Sequence, residues 1–490
     1  MPEFHSLRAP ALAVVTAVLA ACAVGPDYVR PEVPVPGRFA RDAAAIDGDV
    51  AAVVVATPDP DAEFWAGFDD PMLTRLVDAA LLANHDLRIA LARYDGANAL
   101  LREAGFDRYP TVTATAGASD GRSSAGQLPE ATREDRDAES YDAAVVAAWE
   151  LDLFGRIRRN VEAQRADTRA SASDLAALQV IIAGEVARSY LDLRGLQERL
   201  RVARENADNQ RETLRLVDAR LSAGRGTEFD TSRARAQLES TLARVPALAA
   251  AVAVTQHRLA VLTGNAPGAL ISELDTPAPL PALPARLDPG TPGELLRRRP
   301  DVIAAEERLH AATARIGVAT ADLFPRFTLS GLIGTQAIDS SALFERDAET
   351  RLVALGVDWS FLDVGRVRAR IAAADANASG AMAGYEQAVL LALEDTENAL
   401  VVFGHARVED QHLERAATDS ARAAQLARVR FDAGAADLLD VLDAERSQLQ
   451  SQDAFADART RTATALVGLY RALAGGWPTR TPEREQVGAR

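Results

Sequence analysis

After Pro110 the chain alternates, Thr111, Thr113 and Thr115 with Val112, Ala114 and Ala116, and a period of two predicts a strand. A polar stretch from Ser119 to Glu139 follows, and Tyr141, Ala143, Val145, Ala147 and Trp149 restore the alternation. The pattern predicts a β-hairpin over 111–154 with a long polar connection. At Gly155 the period changes. Leu193, Leu200, Ala207, Leu214 and Leu221 lie seven apart, with Leu196, Ala203 and Val217 interleaved, which predicts a long helix over 155–222 that supercoils against a partner. At ~1.5 Å per residue it extends about 100 Å. A tight turn is expected at Ala223, Gly224, Arg225, Gly226, Thr227, then a return helix over 227–263 that Pro246 interrupts. Ahead of the hairpin, apolar spacings of three and four predict one helix from Pro71 to about Asp107, with Asp70 as its cap and Pro71 at its first position.

The same order then recurs. Trp149, Gly155, Arg156, Ile157 and Arg158 return as Trp359, Gly365, Arg366, Val367 and Arg368, all at an offset of 210, and Asp86 to Pro110 returns as Asp301 to Pro325 at 215. Two internal repeats are therefore expected, 64–266 and 301–476. The second has a hairpin over 326–364, a long helix over 365–432 and a return helix over 437–474. A proline-rich linker, 267–300, joins them, and 477–490 is a tail. The class is α+β. Two hairpins give four strands per chain, too few to close a barrel, and open edges at a membrane leave backbone groups unpaired. Three chains would give twelve strands, within the range of outer-membrane barrels.

With 48% hydrophobic and 25% charged residues in 490, the composition is that of an ordered protein. The net charge of −16 argues against a nucleic-acid partner, which wants a basic footprint. Cys22 is the single cysteine, so an intramolecular disulfide is excluded. Its position is more informative. Arg8 precedes an apolar run, Ala9 to Ala21, that is too short to span a bilayer but long enough for a signal-peptide core, and Leu19, Ala20, Ala21, Cys22 closes it. This ending resembles a bacterial lipobox, which implies a signal peptide over 1–21, lipidation of the Cys22 thiol and, with Ala23 following, an outer-membrane destination. The Pro-, Ala- and Asp-rich residues 22–63 read as an extended tether.

No catalytic residues are expected, and no cofactor or metal. The six histidines form no HExxH pair, there is no GxSxG, and the glycines near Gly224 lack the GxxxxGK spacing that cradles phosphate. His405 and His412 with Glu409 between them read as a solvated helix face in preference to a surface metal site. Asp440 and Asp443 share a face of the return helix with Asp437 one turn earlier. By spacing alone they suit a solvated face capped by Asp437.

Cys22 to Tyr28, Trp149 to Arg159, the Phe324–Pro325 step, and Arg430 to Gly434 with Asp440 to Ala444 together resemble the TolC family of outer membrane factors, in its acylated, NodT-type efflux branch. The resemblance covers nearly all of the mature chain. It implies a homotrimeric channel tunnel: a 12-stranded outer membrane β-barrel, a long periplasmic α-helical coiled-coil barrel and an equatorial collar. The implied partners are a periplasmic adaptor (membrane fusion protein), an inner membrane efflux pump and outer membrane lipid. Leu221, Ala223, Gly224, Phe431, Ala433 and Gly434 fall at the adaptor-docking tip, and Asp440 and Asp443 at the periplasmic gate. Family members place a basic residue two beyond the turn glycine, where this chain has Gly226 and Ala436, so its gating bonds are expected to differ. The resemblance implies a passive duct for drugs or other small toxic compounds. A type I protein secretion channel and a structural periplasmic coiled-coil lipoprotein are the alternatives, and two membrane-type hairpins count against the latter.

Overall fold

The computed structural model describes residues 23–40, 64–283 and 291–474. Cys22, the signal peptide and the tail over 477–490 lie outside the described residues. In chain order the elements are α1 (Pro71–Ala83), α2 (His85–Phe106), β1 (Thr111–Arg122), β2 (Asp137–Leu151), α3 (Arg156–Ser222), α4 (Glu228–Leu242), α5 (Arg244–Leu262), α6 (Ile271–Leu274), α7 (Pro292–Arg298), α8 (Pro300–Ala321), β3 (Arg326–Ala337), β4 (Glu349–Asp358), α9 (Val364–Asp432) and α10 (Leu438–Leu473). Two compact units share the chain. One takes in Met1–Glu32, Tyr94–Ser171 and Ala304–Glu386, the other Val33–Arg93, Ala172–Ile303 and Gln387–Arg490.

The first unit holds a four-stranded antiparallel sheet in the order β1-β2-β3-β4. Its pairing keeps the alternation of each strand in step with the next. Ala114 lies opposite Val145, Val145 opposite Ile333, and Trp149 opposite Leu329, which itself faces Leu355. Successive side chains point to opposite faces of a sheet. One face therefore carries Val112, Ala114, Ala116, Ala118, Tyr141, Ala143, Val145, Ala147, Trp149, Leu151, Phe327, Leu329, Ile333, Val353, Leu355 and Val357, with its charged residues, Asp120, Arg122, Asp137, Glu139, Glu349 and Arg351, confined to the loop end. The other face carries Thr111, Thr113, Thr115, Asp142, Glu150, Thr328, Ser330 and Gln336, with Val146, Leu332 and Leu352 among them.

Both hairpins join their helices alike. Trp149 Nε1 donates to the Arg108 carbonyl and Trp359 Nε1 to the Leu323 carbonyl, each at 3.0 Å. Gly155 takes φ +81, in the left-handed region, and a Cβ there would fall 2.5 Å from the Ala23 Cβ. The Asp152 carboxylate accepts from the N–H groups of Ile157 and Arg158, both at 2.9 Å, and so caps α3. Below the junction Ala104, Ile157 and Val161 form a small buried cluster.

In the second unit Asp70 accepts from Met72 N and Leu73 N, with Pro71 opening α1, as its sequence signature predicts. The single helix expected over 71–107 is two. Asn84 is extended and buried; its Oδ1 accepts from Asp86 N at 2.9 Å, and its Nδ2 donates to the Leu262 carbonyl at 2.9 Å. Asn84 thus stops one helix, starts the next and ties the break to the end of α5. Arg299, 215 residues later, does the same between α7 and α8: buried and extended, it donates to the Ala472 carbonyl at 3.1 Å. The return helix over 227–263 is also two, broken at Ala243, which leaves Pro246 in the first turn of α5 where its missing N–H costs nothing. No such break interrupts α10.

The heptad seam of α3 is buried at Leu193, Leu200, Ala207 and Val217. A buried polar column that periodicity does not show runs beside it. Arg194 donates to the Thr276 carbonyl (3.0 Å) and Gln197 to that of Leu274 (2.7 Å), which holds the linker to the helix. Further along, Asn206 reaches Gln452 at 3.0 Å, and Thr213 and Arg428 converge on the buried Glu445 at 2.8 and 2.6 Å.

Candidate functional site

The two helix reversals, Ser222–Thr227 and Asp432–Asp437, belong to the second unit and are built alike. Gly224 (φ +72) and Gly434 (φ +73) follow the last residues of α3 and α9, and open space surrounds each Cα. Gly224 N donates to Leu221 O and Arg225 N to Arg220 O; Gly434 N to Phe431 O and Ala435 N to Arg430 O, at 2.7–3.0 Å. These are paired Schellman bonds, and they require the left-handed residue that glycine supplies without strain. Each following helix begins with a capping box, Thr227 with Asp230 and Asp437 with Asp440.

Of the residues expected at the docking tip, Ala223, Gly224, Ala433 and Gly434 are exposed and Leu221 is 37% exposed. Phe431 is not available to a partner: it is 5% exposed and packs with Val217, Ala234, Leu438, Val441 and Leu442. The Arg220 guanidinium lies 3.8 Å above its ring. Phe431 therefore holds the two reversals together from inside, because a side chain of that size at the last turn is better buried than wet. Exposed apolar side chains do occur beside it. Phe229 is 67% and Leu439 48% exposed, each the second residue of a return helix, and they stand 210 apart. The offset alone would have found them, as a repeated apolar residue inside a polar capping segment.

Asp440 and Asp443 are both exposed on α10. Asp440 accepts from the Asp437 N–H at 3.3 Å as the third residue of its capping box, and Asp443 pairs with Arg446. Within one chain each acid has local structural work. Both also line a groove with Arg430, Ala436 and Leu439. Glu409, between His405 and His412 on the face expected to be solvated, pairs with Arg461 at 2.7 Å.

At the opposite chain terminus, residues 23–30 are fastened to the first unit. Val24 N donates to Phe154 O at 3.1 Å, Arg159 holds Asp27 at 2.6 Å, and Arg30 pairs with Glu306 at 2.9 Å. Tyr28 stacks on His310 at 4.4 Å and bonds to Glu306. Burial and the Glu306 carboxylate push the Tyr28 hydroxyl up, keeping it a neutral donor. Burial works against ionisation of Glu162, but hydrogen bonds from His310 and Arg159 outweigh it and hold the carboxyl below its usual range.

The sequence profile of the outer membrane efflux protein family matches residues 76–265 and 291–475. Outer membrane protein OprJ of Pseudomonas aeruginosa is 34% identical over 489 residues, covering 96% of this chain and 97% of OprJ. Nodulation protein T of Rhizobium leguminosarum bv. trifolii is 31% identical over 468 residues, covering 94% and 96%. A solved structure of the outer-membrane channel OprN matches with a TM-score of 0.84 at 42% identity, covering 93% of this chain and all of that one.

Proposed function

The chain belongs to the outer membrane efflux protein family, and on that premise we propose that it is the outer membrane duct of a tripartite efflux system, passive in itself and driven by its partners. The observation that carries this is the sheet: an apolar face continuous across four strands, with β1 and β4 at its edges and no further partner strand among the described residues. Unpaired edges are untenable in hydrocarbon, so the sheet must close with others. Three copies give twelve strands, an apolar outer wall and a polar lining. From Tyr141 to Trp149 the strand runs about 26 Å at ~3.3 Å per residue, or ~20 Å across the bilayer at a ~40° tilt, near the thickness of an outer-membrane apolar band.

The reversals at Gly224 and Gly434 would then point into the periplasm, where a membrane fusion protein and an inner membrane pump dock. Phe229 and Leu439 join Leu221, Ala223 and Ala433 as the apolar surface offered there. Asp440 and Asp443 from three chains would line the axis. The cargo is drugs or other small toxic compounds, with selectivity set in the pump.

Purified protein in planar bilayers tests the reading. A heat-dissociable trimer that conducts ions is expected, and Asp440→Ala with Asp443→Ala should raise conductance and lower cation selectivity. A monomer without conductance would sink the channel; unchanged currents in the double variant would leave Asp440 and Asp443 as capping and surface residues only.

A further inference from the structure

Where the first unit's strands give way to helices, four arginines gather around one pocket. Arg108 comes three residues before β1; Arg158, Arg165 and Arg169 lie along α3, and Glu162 and His310 complete the wall. Positions 158, 162, 165 and 169 recur at intervals of four, three and four, one face of a helix. The carboxylates in reach are already engaged. Asp152 caps α3 and accepts from Arg158 Nε at 3.2 Å; Glu162 is held by Arg159 at 2.9 Å and His310 at 3.0 Å; Glu307 takes Arg169 at 3.6 Å. Among the described residues no carboxylate pairs with Arg108 or Arg165, and both are exposed. Their mutual repulsion is a standing cost that a bound anion would relieve.

The level of this pocket identifies the anion. Trp149, with only Leu151 beyond it on the apolar face of β2, bonds to the Arg108 carbonyl, and Phe106 and Tyr109, which flank Arg108 in the chain, are exposed. Aromatic rings and guanidinium groups at the end of an apolar band are the chemistry of a headgroup layer. His310, in the pocket wall, stacks on Tyr28 of the N-terminal segment that leads back to the lipidation candidate Cys22. The pocket therefore adjoins the N-terminal segment that leads to Cys22.

We propose that this pocket binds the phosphate of an anionic phospholipid from the inner leaflet of the outer membrane. Arg108 and Arg158 meet it at the strand–helix junction, and Arg165, about 10 Å further along α3 at ~1.5 Å per residue, completes the grip from below. Planar guanidinium forks suit phosphate oxygens. The proposal rests on the sheet being membrane-embedded, as argued above.

The test is native mass spectrometry of the full-length protein, recovered from vesicles of phosphatidylglycerol and phosphatidylethanolamine in equal amounts, beside Arg108→Gln with Arg165→Gln. Neither side chain makes an ion pair among the described residues, so the double variant should assemble normally. The natural protein should retain phosphatidylglycerol preferentially, and the variant should lose that preference by about tenfold. Equal retention by both proteins, no preference for phosphatidylglycerol in the natural one, or full competition by free inorganic phosphate would overturn it. Bilayer conductance measured on the same samples reports on the channel alone, so failure of the lipid site and failure of the channel are told apart.

Discussion

At Arg299 and Asp301 single side chains decide how a helix begins. The Arg299 side chain is nearly buried, and burial weighs against its charge, yet the carboxylates of Asp301 (2.6 Å) and Asp395 (3.1 Å) hold it ionised. The partner responds in kind: burial alone would raise Asp301, but Arg299 and the Val302 N–H bring its pKa below the ordinary carboxylate value. A depressed carboxylate stabilises the fold fully above about pH 4, its unfolded value, and that contribution disappears as pH falls through the folded value. Asp301→Asn should therefore lower stability at pH 7 by about 1 kcal/mol, a figure discounted because half of the carboxyl side chain stays in water. The gap to the natural protein should close in acid, and denaturant melts between pH 3 and pH 7 would show it. Asp301 was legible only as the first acid of a repeated segment; that its partner stops the preceding helix depends on Ala472, far along the chain, and local propensity carries no trace of it.

Among the elements, the strands were the most readable because each alternates on its own, and a sheet with one apolar and one polar face enforces that alternation. Helix breaks were the least readable. Pro246 announces one, while Asn84 looks like any polar residue in an amphipathic run until the Leu262 carbonyl is placed beside it. The heptad ladder of α3 disclosed Leu193, Leu200 and Ala207 but not the Arg194, Gln197 and Asn206 column alongside, since polar side chains are read as outward when no partner is in view. The strand reading yields a paired expectation. Val145 sits midway between Tyr141 and Trp149 on the apolar face, flanked by Ala114 and Ile333. Val145→Arg should cost about 2–4 kcal/mol of barrel stability and deplete the protein from the outer membrane. Val146→Arg, one residue on and on the other face, should leave it assembled. Equal loss in both variants, on fractionated membranes, would contradict the assignment of faces.

Across the whole molecule, two means of holding the outer membrane are expected, an acyl chain on Cys22 and a closed set of strands. They differ greatly in strength. A lipid chain or two binds a surface reversibly or durably, whereas a closed barrel is held by every backbone hydrogen bond it would lose on leaving. Cys22→Ala should accordingly abolish incorporation of labelled fatty acid while leaving most of the protein that reaches the membrane resistant to carbonate extraction. Persistent labelling would refute lipidation at Cys22, and complete extraction would show that the strands do not embed. The reversals at Gly224 and Gly434 were visible from glycine and offset alone, but their inner packing was not: Phe431 reads as a surface residue in sequence because its partners Val217 and Ala234 lie some two hundred positions away.

A slip of one residue at any of the three strand pairings would turn a whole strand over, sending Asp142 and Glu150, or Gln336, to the side now held by Val145 and Ile333. Water tolerates such a sheet nearly as well as the aligned one, since both faces are wet before insertion. Hydrocarbon does not. If the strands close in the bilayer as proposed, the bilayer would act as proofreader, admitting chains whose hairpins are aligned and leaving the rest in the periplasm.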